Sequence, residues 1–118
     1  MIAKLQAVFY RTESGTEPVR EWLKELAKED KKAIGEDIKT VQFGWPLGMP
    51  LVCNLGQGLW EVRTKLPNGR IARIIFFMDK GTMVLVNGFI KKTQKTPITE
   101  LDLAQKRKKI YETSKNFR

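Results

Sequence analysis

Arg63 and Arg73 stand ten residues apart in LWEVRTKLPNGRIARIIF, and further on NGFIKKTQKTP gathers Lys91, Lys92, Gln94 and Lys95 into five positions. Two guanidinium forks and a run of amines suit one kind of partner. Arginine grips a phosphate through paired N–H donors, and lysine reaches it as a compact point charge. The chain contains no histidine. That removes Ser-His-Asp and Cys-His catalysis, histidine-ligated zinc, and imidazole as a general acid or base. The one cysteine, Cys53, supplies neither a disulfide framework nor a cysteine metal cluster and suits a small core or loop position. Neither metal nor cofactor is expected. Proton transfer near neutral pH then falls to Lys, Tyr, Asp or Glu, or to substrate and water.

The bulk of the chain fits a polyanion partner. Its 118 residues suit a single domain, 1–118, and 42% hydrophobic with 30% charged residues is ordinary for a globular protein. No apolar run reaches membrane-spanning length and MIAKLQAVFYRTESG lacks a signal-peptide layout, so a cytoplasmic protein is expected. The net charge of +9 is segregated. Residues 1–50 hold eight basic and eight acidic side chains, residues 51–90 five against two, and residues 91–118 nine against three. Clustered positive charge favours nucleic acid or ribosome first and an acidic protein second.

The elements that must position these residues read as an α+β domain. Residues 3–10 alternate as a strand. Pro18 opens a helix in which Val19, Trp22, Leu23 and Leu26 form an apolar stripe. Asp30 is expected to cap a second helix with Ile34, Ile38 and Val41 inward. The two make an N-terminal helical hairpin. FGWPLGMP is a rigid loop in which Trp45 serves as a packing anchor. Three strands follow, 59–66, 70–78 and 82–89, forming a small antiparallel sheet. Pro97 then opens a basic C-terminal helix to Lys115, with Leu101, Ala104, Lys108 and Tyr111 along one side.

Turn chemistry sets which residues face each other. In LPNG, Pro67 suits a type I turn and Gly69 the left-handed residue after it. A three-residue loop results, pairing Leu66 with Arg70 and placing Arg63 opposite Arg73. Read the same way, MDKGT pairs Met78 with Thr82 and puts Arg73 opposite Asn87. Trp60, Val62, Ile74, Phe76, Val84 and Val86 then share the helix-covered face. Glu61, Arg63, Lys65, Arg73 and Asn87 share the other. Facing arginines weaken a sheet unless an anion bridges them; the alternative is a pair of surface charges with Glu61 as counter-ion.

In FYRTESGTEPVREWLKEL, FGWPLGMPLV, GLWEVRTKLPNGRIARIIF and GFIKKTQKTP, the chain resembles the RelE/HigB toxin superfamily, in its phage-derived killer-protein (addiction-module toxin) branch. The resemblance implies a RelE/ParE-like fold and the toxin of a type II toxin–antitoxin module: a metal-independent, ribosome-dependent endoribonuclease that cleaves messenger RNA and inhibits translation. The RNA's own 2′-hydroxyl attacks the scissile phosphate, so the protein supplies cations and proton carriers. By resemblance Arg63, Arg73, Lys91, Lys92 and Lys95 are catalytic, and Lys65, Asn87 and Gln94 bind substrate. The partners implied are the ribosome with its messenger RNA and a helix-turn-helix antitoxin. One departure is that this chain reads NGF where the branch usually reads HGF, so Asn87 stands in place of a proton-exchanging histidine. Two alternatives remain on the same fold: a ParE-like, non-enzymatic gyrase inhibitor, and a degenerate phage-derived protein that binds its antitoxin alone.

Overall fold

A computed structural model describes residues 2–116. Alternating apolar residues between glycine-bearing turns give strands β1 (Gln6–Phe9), β2 (Val52–Gly56), β3 (Leu59–Lys65), β4 (Ile71–Asp79) and β5 (Thr82–Lys91). Apolar residues at helical spacing give α1 (Pro18–Lys24), α2 (Lys28–Gly44) and α3 (Ile98–Asn116). The result is an α+β domain with one five-stranded sheet in the order β1-β5-β4-β3-β2. The sheet is mixed rather than antiparallel throughout, because β1 runs parallel to β5. No helix among the described residues is long and apolar enough to cross a membrane.

Both faces of the sheet are covered. Val19 of α1 and Ile34, Ile38 and Val41 of α2 join Val62, Ile74, Phe76 and Leu85 in one buried cluster. Pro18 starts α1 as expected, whereas α2 begins at Lys28 with Ala27 at its N-cap, ahead of Asp30. Asp30 sits in the first turn, where a carboxylate favours the helix dipole. There it takes a forked ion pair from Arg70, at 2.9 and 3.3 Å. Trp45 is the anchor its loop requires, packing edge-on against Trp60 and Phe76 at 5.4 and 5.8 Å between ring centroids.

The β3–β4 hairpin has the expected register. Leu66 N–H donates to the Arg70 carbonyl at 2.9 Å, and Arg63 lies opposite Arg73. The β4–β5 register differs from expectation. Asp79 pairs with Thr82 around a two-residue Lys80–Gly81 turn in which both residues take positive φ, 47° and 81°. That one-residue slip flips residues 82–86, so Val84 and Val86 leave the α1/α2 face. They pack instead with Ile75, Phe77, Phe89 and Ala104 beneath α3. Further along β5 the ladder shifts again. Phe76 pairs with Leu85 and Ile75 with Asn87, leaving Val86 as the extra residue of a bulge. The bulge restores the face but moves the register, so Arg73 stands opposite Phe89, not Asn87.

Strand β2, which carries the half-buried Cys53, is an element additional to the three expected after residue 58. It pairs with β3 from Val52 opposite Val62 to a bulge at Asn54, whose side-chain oxygen accepts the Gly56 N–H at 2.9 Å.

Candidate anion-binding site

Strand alternation places Glu61 and Arg63 on the same face of β3, and the ladder sets Arg73 of β4 beside Arg63. Glu61 and Arg73 are wholly buried, and the Arg63 side chain is 12% exposed. The Glu61 carboxylate accepts from Arg63 Nε at 2.7 Å and, on its other oxygen, from the Thr96 hydroxyl at 2.7 Å. Arg63 Nη2 donates to the Gln94 carbonyl at 2.7 Å, and Nη1 to the Gln94 side-chain oxygen at 3.5 Å. The connection from β5 to α3 is therefore fastened to β3 at two points, Gln94 and Thr96.

Arg73 is treated differently from Arg63. Its guanidinium carbon lies 5.8 Å from the Phe89 ring centroid, yet Nε, Nη1 and Nη2 have no hydrogen-bond partner among the described residues. Burial pulls its pKa below the usual arginine value, the Glu61 carboxylate pushes back, and the neighbouring Arg63 lowers it further. A guanidinium so placed stays charged and offers a rigid fork of unmatched donors. Such a fork is complementary to an oxyanion with several acceptor oxygens.

The remaining residues expected at the site divide into two groups. Lys65, Lys91, Lys92, Gln94 and Lys95 are exposed along β3, the end of β5 and the connection after it, around Arg63. They can meet an anion without rearrangement of the fold. Asn87 is elsewhere in its bonding. Its amide nitrogen donates to the Glu100 carbonyl at 2.9 Å and to the Glu100 carboxylate at 3.2 Å. Its oxygen accepts from Arg107 Nη1 at 3.1 Å, while the same nitrogen reaches the Val86 carbonyl at 2.6 Å. Asn87 and Arg107 thus stitch the β5 bulge to α3. Arg107 also lies over Tyr10, and burial lowers its pKa against the opposing influence of Tyr10 and Glu100.

Thr96 and Phe89 join the site without having been singled out by sequence, and Glu61 proves to be its hub. The Glu61-Val62-Arg63 spacing signals a same-face pair, but the thirty-five-residue reach from Thr96 to Glu61 has no local signature. No group of three or more His, Cys, Asp or Glu side chains among the described residues could hold a metal ion. Residues 21–109, about three quarters of the chain, match the family described as Phage derived protein Gp49-like (DUF891). No curated protein matches the chain.

Proposed function

The chain belongs to the phage-derived Gp49-like family, and from that premise we propose that it is the toxin of a type II toxin–antitoxin module. In this reading it is a ribosome-dependent endoribonuclease of the RelE/HigB kind, acting on messenger RNA without metal or cofactor. The observation that carries the reading is Arg73, a buried guanidinium with three unmatched donor nitrogens beside a second arginine. A fold keeps so costly a group when its donors have work to do on a ligand.

The reaction that fits is internal transesterification. The RNA 2′-oxygen forms a bond to phosphorus as the P–O5′ bond breaks, giving a 2′,3′-cyclic phosphate and a free 5′-hydroxyl. The proton lost by the 2′-hydroxyl and the proton gained by O5′ balance. Negative charge concentrates on the non-bridging oxygens in the transition state, where preorganised donors act most strongly. Arg63, 12% exposed, is the arginine an incoming phosphate reaches, and the wholly buried Arg73 beside it adds its unmatched positive charge to that site. Lys91, Lys92 and Lys95, at the rim, are the residues to carry protons, and Lys65 and Gln94 hold the strand. Asn87 acts indirectly, by fixing the bulge that sets Arg73 against Phe89. A ribosome-bound substrate suits a chain of net charge +9. The same charge suits an acidic surface on a helix-turn-helix antitoxin.

The test is induction of the wild type and of Arg73→Ala, with mapping of messenger RNA 5′ ends and of plasmid supercoiling. Wild-type induction should yield new 5′ ends within translated regions, absent with Arg73→Ala. Intact messenger RNA with altered supercoiling would replace this reading with gyrase inhibition. No change in either would leave an antitoxin-binding protein.

A further inference from the structure

Next to Arg63 the sheet edge opens into a cleft of about 430 Å³, between α2 and the part of β3 that β2 does not reach. Its size falls within the ~300–1,000 Å³ usual for small-ligand sites. The two long walls carry opposite charge. Glu36 and Asp37 of α2 form one, and Arg63 and Lys65 of β3 form the other. Met49, 62% exposed, and Ile71 supply an apolar surface between them. Neither carboxylate has a hydrogen-bond or ion-pair partner among the described residues. Asp37 is half-buried and Glu36 exposed.

A nucleotide with an amino-bearing base is complementary to this cleft, with an anion at one end, an apolar ring face, and a donor edge at the other. We propose that the cleft is a base-recognition subsite, taking the base of the nucleotide adjoining the phosphate held by Arg63 and Arg73. With carboxylates as the facing acceptors, it selects bases that carry an exocyclic amino group. Glutamate and aspartate accept from the cytosine N4 amino group in this way. Uracil presents carbonyl oxygens there, which the carboxylates repel. Met49 and Ile71 cover the ring faces, which all bases share, so they add affinity without selectivity. The inference rests on the proposed reading of Arg63 and Arg73 as a phosphate site in RNA.

The experiment measures binding of the full chain to 5′-labelled hexanucleotides of rA, rC and rU by fluorescence anisotropy, at one low ionic strength. The three carry equal charge, so the electrostatic contribution is common to all. Wild type should bind rA and rC about five- to tenfold more tightly than rU, the discrimination of roughly one well-placed hydrogen bond. Asp37→Ala and Glu36→Ala should bring the three affinities together while leaving the thermal melt unchanged. Equal affinities in the wild type overturn the subsite. So does a preference that survives both substitutions, or a uniform gain in affinity that leaves the ratios intact, since removal of a repulsive charge alone would produce it. Binding that Arg73→Ala leaves unaltered, or the absence of binding to any RNA, instead overturns the phosphate site itself.

Discussion

At neutral pH Arg73 gives the fold a cost and no compensating hydrogen bond. Its folded pKa lies below the unfolded value. The protonated form is therefore disfavoured by folding, the cost is present in full below the folded pKa, and it is relieved only as pH rises through that value. Arg73→Met keeps the volume and removes the charge. It is expected to stabilise the protein by about 1–4 kcal/mol, as other replacements of buried charge do, while abolishing RNA binding. Urea melts and anisotropy on the same samples check both halves, and a loss of stability would mark Arg73 as structural. Arg73→Lys makes a different prediction. Lysine starts from about 10.4, well below arginine, and the same burial lowers it further. Anion binding by the variant should fall as pH rises from 7 towards 10, while wild-type binding stays level. A titration of binding against pH separates the two.

Among the elements, β5 carries the most consequence per residue. A Cβ at Gly88 would run into the Trp22 ring of α1, so Gly88→Ala is expected to cost about 1–3 kcal/mol through overpacking, read as a lower Tm. Replacing Asn87 by Ala leaves Arg107 Nη1 one acceptor short, at a cost of about 1–3 kcal/mol, with no new ionisation in any pH profile. The β3–β4 register was legible in the sequence because Pro67 is unwelcome in a ladder position, although the loop closes with Asn68 as well as Gly69 at positive φ, 66° and 72°, rather than as a type I turn with Gly69 alone left-handed. The β4–β5 pairing was not. MDKGT can close as a two- or three-residue turn, and the two-residue form puts Lys80 in a left-handed conformation that normally costs ~1–2 kcal/mol. The Val86 bulge has no mark of its own in the apolar run MVLV. Strand β2 was hidden because Cys, Asn and Gly make a poor strand signal in VCNLG. The facing arginines were therefore readable from residues alone. Their burial and the Gln94–Thr96 fastening were not, since they depend on where α3 begins.

At the scale of the whole molecule the positive charge is divided by purpose. Lys91, Lys92 and Lys95 are exposed beside the site. With each phosphate contact worth about 0.7 in the log–log salt slope for single strands, their triple alanine variant should flatten that slope by up to about 2. On α3 the run Lys106–Lys109 is not a uniform surface, because Arg107 turns inward to Val86 and Asn87. Charge reversal at Lys106 and Lys109 should slow association with an acidic partner in stopped-flow measurements. Reversal at Arg107 should lower Tm instead.

The parallel seam between β1 and β5 joins Gln6 to Thr82, seventy-six residues apart, and extends to Phe9 opposite Leu85. During synthesis the first strand has nothing to pair with until nearly three quarters of the chain exists. The β2–β5 meander, by contrast, closes through neighbours as it is made. Contacts so distant in sequence are the slowest to form. Substitutions in β1 should consequently quicken unfolding and barely alter refolding, whereas those in β4 should slow refolding. Chevron plots for Phe9→Leu, which trims a side chain packed on the core, and Ile74→Val would show the split. A nascent chain would then carry both arginines on a sheet still lacking its edge, and the anion site would mature only as its earliest residues come home.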